Sequence, residues 1–577
     1  MNLLFDASYS DLDFYQNLTQ VTGRFSGRRG ETADGYDQTD LSIGVNGETP
    51  NFELPADVFN PQNMDLNTVS RRLINTNGYN YAAKFDVEYY LNSTVKITSG
   101  ARYAKTDFEA RETLSSRTSN FDAYGAITDE QQTEFQNLLT HTAGAGFNGG
   151  TVGGLENGWI YVPGYKVLDM YPGFGDLDGG SVFDFDVALE NVVSEDGNLI
   201  FNPAKSYGAE ETSTDFYTQL DWKTALFQIP VALNFGVRAV RTGNTSEGFS
   251  TVEYKDYQDD DDDNAVIEPT SGIYHKVTTS RWDVLPSFNS NFTLKERLKL
   301  RLNVSRGVSR PKFRDLIPNN TVTFVTNVPD GTDLSAQTLV RGEVTSGNPD
   351  LKPYTAWMYD LTLEAYTKSR GAFIFSAFLK NIKNYISRGV VEETAYPGEE
   401  LLGIPLPDDQ QGLLFDVSQP INLADGQIYG FEAGVTQPFT FLPGFAKGFG
   451  IKANYSYVES SFEGAVGDAA NGFPGTSKHS ANGTFYYEQK AFSLRFTTAY
   501  RGDYLSNLGG VGSTRADESH YTEGTTVLGF TARVNMLKRK LQLTAGVSNM
   551  TGEDIRSWQT YKRNAEIPFS ITSDFDV

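Results

Sequence analysis

The segment "LKLRLNVSRGVSRPKFRDLIP", Leu298 to Pro318, decides the fold of this protein. Its first half places apolar and polar residues alternately on two sides, and one side holds Leu298, Leu300, Leu302 and Val304. Alternation with one apolar face indicates a β-strand. The strand runs into the cations Arg306, Arg310 and Arg314, although the net charge of the chain is -25. The cations belong either to a nucleic-acid patch or to the rim of a strand that leaves a membrane.

Composition favours the second interpretation. With 577 residues, the chain can form several soluble domains or one large all-β unit, and 13% aromatic residues with 55 glycines favour many strands that each have an apolar face. It contains no apolar run long enough for a transmembrane helix, whereas strands of a membrane barrel need only about 9–11 residues each. The excess of 73 acidic over 48 basic residues argues against nucleic-acid binding.

The connections between predicted strands alternate between short and long. Seven hairpins turn at short segments: Leu91-Asn92-Ser93, Phe227-Gln228, Lys295-Glu296-Arg297, Lys368-Ser369-Arg370, Leu442-Pro443-Gly444, Gln489-Lys490 and Lys538-Arg539. An eighth, weaker hairpin is predicted from Leu3 to Phe25, with its turn at Ser10 to Asp13. The long connections are predicted at residues 26–78, 104–212, 243–276, 309–355, 388–425, 460–478 and 502–523.

This rhythm is typical of a transmembrane antiparallel β-barrel with short periplasmic turns and long extracellular loops. The soluble alternative, a β-propeller, requires a repeat of about 40–50 residues, which the sequence lacks. The polar sides of the strands then face a lumen, which indicates transport. They include Arg301, Ser305, Asp360, Thr362, Glu364, Lys380, Asn454, Arg495 and Thr497.

The sequence does not predict an enzyme. Its four histidines have no metal-ligand spacing, and it contains no cysteine and no nucleophile or phosphate-loop motif. We therefore expect no catalytic residues and no cofactor.

Candidate ligand-binding residues lie in the longest connection and at the strand rim. Aromatic faces stack on sugar rings and carboxylates accept hydrogen bonds from hydroxyl groups, whereas the competing interpretation is that these residues pack the loop. The candidates are Trp159, Tyr161, Tyr165, Tyr171, Asp176, Asp178, Arg306 and Arg310. For Arg306, Arg310 and Arg314, the flanking Pro311 and Pro318 favour a structural role at a sharp corner.

The run "DDDDDN", Asp259 to Asn264, is a weak calcium candidate through Asp259, Asp261 and Asp263. It lacks the alternating ligands and central glycine of an EF-hand loop. A solvated external loop is the favoured interpretation of such a charge run.

Several motifs resemble those of TonB-dependent outer-membrane receptors, in particular the subgroup linked to carbohydrate uptake. "VSRGVSRPKFRDLIP" resembles a family segment, and "GNPDLKPYTAWMYDLTLEAY", Gly347 to Tyr366, and "DGQIYGFEAGVTQPFTFLPG", Asp425 to Gly444, follow in the family's order. Lys380-Asn381-Ile382 and the hairpins up to "LQLTAGVSNMTGEDIR" are also similar to family elements. The resemblance covers Ser206 to Arg556.

The resemblance implies a barrel of about 22 strands that holds an N-terminal plug. It also implies coupling to the TonB-ExbB-ExbD complex in the outer membrane of a Gram-negative bacterium. Because no plug, TonB box or signal peptide precedes the first hairpin and the terminal strand is not matched, we expect residues 1–577 to be an incomplete barrel of about 16 of the 22 strands.

The expected function is the import of a bulky nutrient, with an oligosaccharide favoured as the ligand and no nucleic acid as partner. The alternatives are a ferric-siderophore receptor of the same fold, a passive porin-like pore and a soluble binding module. Expected partners are the TonB complex, acting through the N-terminal region of the full-length parent, and outer-membrane lipid with its lipopolysaccharide.

Overall fold

A computed structural model describes most of the chain. The described residues are 1–25, 42–46, 49–53, 61, 64–112, 129–142, 159–161, 166, 188–191, 200–257, 266–267, 272–327, 338–395, 413–462, 472–508, 519–536, 540–559 and 571–572. No helix in these residues has the length and apolarity needed to cross a membrane.

Fifteen long antiparallel strands form the wall of the barrel in the described residues. They are β1 Asn2–Phe25, β2 Met64–Tyr90, β3 Val95–Glu112, β4 Tyr207–Leu226, β5 Ile229–Tyr257, β6 Ile273–Lys295, β7 Leu298–Ser309, β8 Tyr354–Tyr366, β9 Ala372–Ala395, β10 Leu414–Pro438, β11 Phe449–Phe462, β12 His479–Glu488, β13 Phe492–Arg501, β14 Thr525–Met536 and β15 Leu541–Val547.

Each of these strands pairs with the next one along the chain, from β1 through to β15. The seven predicted short-turn hairpins are confirmed as strand pairs, although the turn at Lys538-Arg539 lies outside the described residues. Between β4 and β5 the chain reverses in two residues, with Phe227 at φ 52° and Gln228 at φ 68°. Two successive positive φ angles are the geometry of a type I′ turn, whose twist matches that of the flanking strands.

The predicted eighth hairpin is wrong. Leu3 to Phe25 belongs to one continuous strand, in which Ser10 pairs with Asn80 and Asp13 with Asn77. The sequence from Ser10 to Asp13 has no glycine or proline to impose a turn, so the extended chain continues along β2.

Strands also extend into connections that were predicted to be loops. β2 begins at Met64, β3 continues to Glu112 and β5 continues to Tyr257. Outside the bilayer both faces of a strand meet water or protein, so the pairing continues where the apolar alternation has ended.

Short elements fill the long connections. The short strands are Ser42–Asn46, Thr49–Glu53, Thr140–Thr142, Trp159–Tyr161, Val266–Ile267, Asn320–Asn327, Thr338–Ser346, Tyr504–Asn507, His520–Thr522, Arg556–Gln559 and Ile571–Thr572. The helices are Asp129–Leu138 and Phe313–Leu316, with a 3₁₀ helix at Gly444–Gly448 in the turn between β10 and β11.

The two faces of the wall differ in polarity. Large apolar side chains are exposed on one face and include Phe216, Phe235, Trp282, Val284, Trp357, Leu361, Leu363, Phe375, Phe496 and Leu543. The other face carries ion pairs and hydrogen-bonded amides. In a transmembrane barrel the apolar face meets lipid and the polar face lines the lumen, and we call them the outer and inner face.

A hairpin formed by Asn320–Asn327 and Thr338–Ser346 bridges two distant wall strands beyond their membrane-spanning parts. Its first strand pairs in parallel with residues 250–257 of β5, and its second pairs in parallel with residues 415–418 of β10. Val322, Phe324, Val344 and Phe415 form a buried cluster between them. We call this element the bridging hairpin, and its two-sided attachment fixes it across the external end of the wall.

Candidate functional site

A polar belt follows the inner face near the short turns. Lys96 pairs with Glu88 at 3.2 Å and with Asp221 at 3.6 Å, and Asn234 Nδ2 donates to Asp221 Oδ1 at 2.7 Å. Asn289 Nδ2 donates in turn to Asn234 Oδ1 at 3.3 Å. The belt therefore joins side chains from β2 to β6 through charges and amides.

The belt continues on β7 and β8, where a cavity of about 390 Å³ opens to the inner face. Asn303 Nδ2 donates to Asp360 Oδ2 at 2.9 Å, and Arg301 Nε lies 2.8 Å from Glu364 Oε1. The cavity is lined by inner-face side chains that include Asp221, Asn234, Asn289, Arg301, Asn303, Asp360 and Thr362. The predicted lumenal positions of Arg301, Asp360, Thr362 and Glu364 are confirmed.

A second group lies higher on the inner face, centred on the buried carboxylate of Asp215. Arg238 forms an ion pair with Asp215, Arg102 lies 3.6 Å from it, and Ser213 donates to it at 2.8 Å. An ionised carboxylate withdrawn from water needs such partners. The two arginines are thereby held on one acid rather than left as free cations.

Arg310 reaches the external end of the inner face. Its Nη1 lies 2.5 Å from Glu211 Oε1, and its Nη2 donates to Ser213 Oγ at 3.2 Å. Burial raises the pKa of Glu211, and the charge of Arg310 partly offsets that rise. Since Glu211 and Ser213 lie on β4, three strands from β7 along the wall, this arginine anchors the chain that leaves β7 against the inner wall.

The segment after Arg310 folds against the same wall. Phe313 packs on Phe108 with ring centroids 5.2 Å apart, and Asn319 Oδ1 accepts from the backbone N–H of Phe249 at 2.8 Å. A side chain at Gly347 would collide with the carbonyl of Ile317, so this close approach requires glycine. The proline-flanked corner predicted from the sequence is therefore an inward fold of the chain.

Arg306 lies on the opposite face from Arg310. It is paired across β7 and β8 with the exposed Trp357, and its Nη1 donates to the carbonyl oxygen of Val284 at 3.1 Å. It continues the apolar row of Leu298, Leu300, Leu302 and Val304. Arg306 and Arg310 are therefore not brought together. Arg314 is exposed and has no ion pair with another described residue.

The other candidate residues are only partly described. Trp159 and Tyr161 lie in a short strand that pairs with Thr140–Thr142. Tyr165, Tyr171, Asp176, Asp178 and the calcium candidates Asp259, Asp261 and Asp263 lie outside the described residues. In the described part of the chain, no group of His, Asp and Glu side chains is arranged to hold a metal ion.

Sequence reasoning missed Asp215 and Glu211, the acids that hold Arg102, Arg238 and Arg310. Asp215 and Glu211 lie at odd-numbered positions of β4, whereas the apolar Phe216 and Leu220 lie at even-numbered positions. Because successive side chains of a strand point to opposite faces, the inward direction of the two acids could be deduced from the sequence. Their partners are Arg238 on β5 and Arg310, which follows the end of β7. Alternation within one strand carries no signal for such pairs.

The apolar outer face, the polar inner face and the alternation of short and long connections define an outer-membrane β-barrel. The family model "TonB dependent receptor-like, beta-barrel" matches residues 5–550. The chain belongs to this family, whose members lie in the outer membrane of Gram-negative bacteria. Comparison with curated proteins returned no match.

The solved structures to which the chain is similar include two import or uptake receptors and an iron transporter. The ferric-catecholate import receptor Fiu from E. coli K12 is 11% identical with a TM-score of 0.47, and the match covers 95% of this chain and 57% of Fiu. The ferric yersiniabactin uptake receptor FyuA from Yersinia pestis is 10% identical with a TM-score of 0.43, covering 88% and 55%. The FrpB iron transporter from Neisseria meningitidis (F3-3 variant) is 12% identical with a TM-score of 0.41, covering 87% and 54%. The chain thus spans between half and three-fifths of the length of these proteins.

Proposed function

We propose that this chain is the barrel portion of a receptor that imports a bulky nutrient into the periplasm, with energy supplied by the TonB-ExbB-ExbD complex. The observation that supports this most is the continuous polar inner face, with its belt from Glu88 to Asp360. A wall of charges and amides suits a hydrated or polar-filled lumen. We further propose that residues 1–577 supply barrel wall together with its external connections.

The favoured ligand is an oligosaccharide. The cavity on the inner face offers amide and carboxylate groups, which donate to and accept from sugar hydroxyls. The lumenal arginines 102, 238, 301 and 310 are each paired with an acid in the described residues. This pairing offsets the positive charge of these four arginines, whereas an anionic iron chelate, which is the alternative ligand class, is best bound by unpaired cations.

Uptake by cells that produce the full-length parent tests the proposal. We expect labelled maltodextrins to accumulate, ferric siderophores not to accumulate, and uptake to stop when TonB is disabled. Uptake of ferric siderophore alone would show that the ligand is an iron chelate and not an oligosaccharide. Sugar uptake that continues without TonB would favour a passive pore.

A further inference from the structure

A polar recess lies on the inner face where β9, β10, β11 and β12 run side by side, and it holds a cavity of about 250 Å³. The strand register places its side chains in two adjacent rows, and each row crosses the four strands in order. The rows are Ile374, Gly434, Asn454 and Asn482, and Ala372, Thr436, Lys452 and Thr484. Three strand spacings and one two-residue step give these rows an extent of about 14 Å by about 7 Å. We call these eight residues the four-strand recess.

The polar side chains of the four-strand recess are free to bind another molecule. Its two asparagines, two threonines and one lysine form no hydrogen bond or ion pair with another described side chain. On β7 and β8, by contrast, the polar groups of the inner face satisfy each other, as Asn303 donates to Asp360 and Arg301 pairs with Glu364. Amide and hydroxyl groups both donate and accept hydrogen bonds. The recess therefore offers unused donors and acceptors at positions that the sheet fixes.

Gly434 leaves the floor of the recess open. A Cβ atom at this position would meet nothing closer than the carbonyl oxygen of Ala453, at 3.9 Å, and the backbone of Gly434 has no positive φ. At Gly430, two residues before it on the same face, a Cβ atom would collide with the carbonyl of Tyr457 and would press on Phe378. Packing thus requires glycine at 430 and does not require it at 434. The missing side chain at 434 instead creates space beside Ile374 and Asn454.

We propose that the four-strand recess binds one sugar residue of a neutral oligosaccharide in the lumen. Ligand sites combine apolar surface with a few fixed polar groups. The apolar surface here is Ile374, which is 42% exposed and can contact the C–H face of a sugar ring. Asn454 and Asn482 lie directly opposite each other on β11 and β12, so their amides can bind neighbouring hydroxyl groups.

The charge of the recess favours a neutral ligand over an anion. Lys452 is the one charged side chain among the residues that line the cavity, and it is exposed. An exposed ammonium group is strongly hydrated and gains little from a single ion pair. The inference rests on the proposed function, because it takes over the oligosaccharide class. It adds a contact point that is separate from the cavity on β4 to β8.

Saturation-transfer NMR of the purified chain with maltotriose tests the recess. The chain is kept in an amine-oxide detergent, because a detergent with a sugar headgroup would compete. We expect maltotriose to bind and inorganic phosphate, added as a competitor, not to displace it. Asn454→Leu and Asn482→Leu should each weaken binding about fivefold, which corresponds to the loss of about one hydrogen bond.

The sharpest variant is Gly434→Val, which fills the floor of the recess. We expect it to weaken maltotriose binding at least about tenfold while the thermal stability of the chain stays the same, since a side chain has room there. Gly546→Val is the matched control, because Gly546 is a glycine of the inner face on β15 that also has room for a side chain. If Gly434→Val does not fold, the two asparagine variants supply the test.

Unchanged binding by the folded Gly434→Val and Asn454→Leu variants would overturn the proposal, as would an equal loss in Gly546→Val. Displacement of maltotriose by inorganic phosphate would show an anion site at Lys452 instead. A single cysteine at position 482 of the full-length parent should react with a small aqueous thiol reagent, and complete protection would show that another segment of the parent fills the recess. Maltotriose binding by the chain without maltodextrin uptake by the parent would contradict the proposed function and leave the recess standing.

Discussion

Arg306 and Arg310 are four residues apart and serve opposite faces of the wall. Arg306 follows Leu302 and Val304 in the series of outward-facing positions on β7. Arg310 comes after the end of the strand and turns towards Glu211. The cluster of cations that stands out in the sequence is therefore two separate features. Arg306 lies on the lipid side of the wall, and Arg310 anchors the chain to the inner face.

Loss of the Arg310 anchor should loosen the inward fold. Arg310→Gln leaves the mostly buried Glu211 without its cation, and an unsatisfied buried polar group costs about 1–3 kcal/mol, with a larger cost for a charged one. We expect faster amide hydrogen exchange at residues 311–319 in the variant. Arg314→Gln, at an exposed position, is the control and should exchange like the wild type. Equal exchange in all three proteins would show that Arg310 does not hold this segment.

His275 links the bridging hairpin to the barrel wall through a chain of hydrogen bonds. Its Nε2 lies 2.6 Å from Ser250 Oγ, which also accepts from Asn320 Nδ2 at 3.0 Å, and Ser346 Oγ donates to Asn320 Oδ1 at 2.6 Å. Burial lowers the pKa of His275 below its usual 6.5. The folded junction thus favours the neutral ring.

The junction should weaken in acid. Because the pKa in the folded state is lowered, the stability contribution of the neutral ring is complete above pH 6.5 and falls as the pH drops below that value. We expect amide protection at residues 320–327, corrected for intrinsic exchange, to fall between pH 7 and pH 5.5. His275→Gln, which cannot titrate, should remove this dependence. Identical pH profiles for the two proteins would rule out His275 as its source.

At the scale of a strand, β7 carries two different surfaces on neighbouring residues. Leu302 lies opposite Leu361 on the outer face, and Asn303 donates to Asp360 on the inner face. A change of one position in register would exchange lipid and lumen for the whole strand.

Lysine substitutions at these neighbouring positions should differ in cost. Leu302→Lys places a charge in the lipid and is expected to lower the unfolding free energy by about 2–4 kcal/mol. Asn303→Lys, beside Asp360, should change it by less than about 1 kcal/mol because the lumen is polar. Urea unfolding in lipid vesicles measures both variants. A larger loss for Asn303→Lys would mean that the assignment of the two faces is reversed.

The alternation of apolar residues predicted the strands from β2 to β15, but it wrongly divided β1 into a hairpin. It failed where a strand leaves the lipid, as at Met64 and Tyr257, because the apolar pattern ends while the backbone pairing continues. It could not predict the bridging hairpin, since that pairing joins Asn320–Asn327 to a strand 70 residues earlier. Pairs such as Arg238 with Asp215 depend on register between strands, which one sequence does not reveal.

At the scale of the molecule, the wall has an apolar outside, a polar inside and an external end that carries most of the long connections. Between β7 and β8, the connection folds inwards at Arg310 and then forms the bridging hairpin. The inner face and the external end are thus polar, whereas the outer face between the external end and the short turns is apolar.

The most direct test of this account is the accessibility of successive residues in β7. The chain contains no cysteine, so single cysteines at positions 299 to 305 can be spin-labelled in the chain reconstituted in lipid vesicles. We predict that power saturation alternates with a period of two. Labels at 300, 302 and 304 should meet oxygen dissolved in lipid, and labels at 299, 301, 303 and 305 should meet an aqueous nickel complex. Equal aqueous accessibility at all seven positions would contradict a transmembrane barrel.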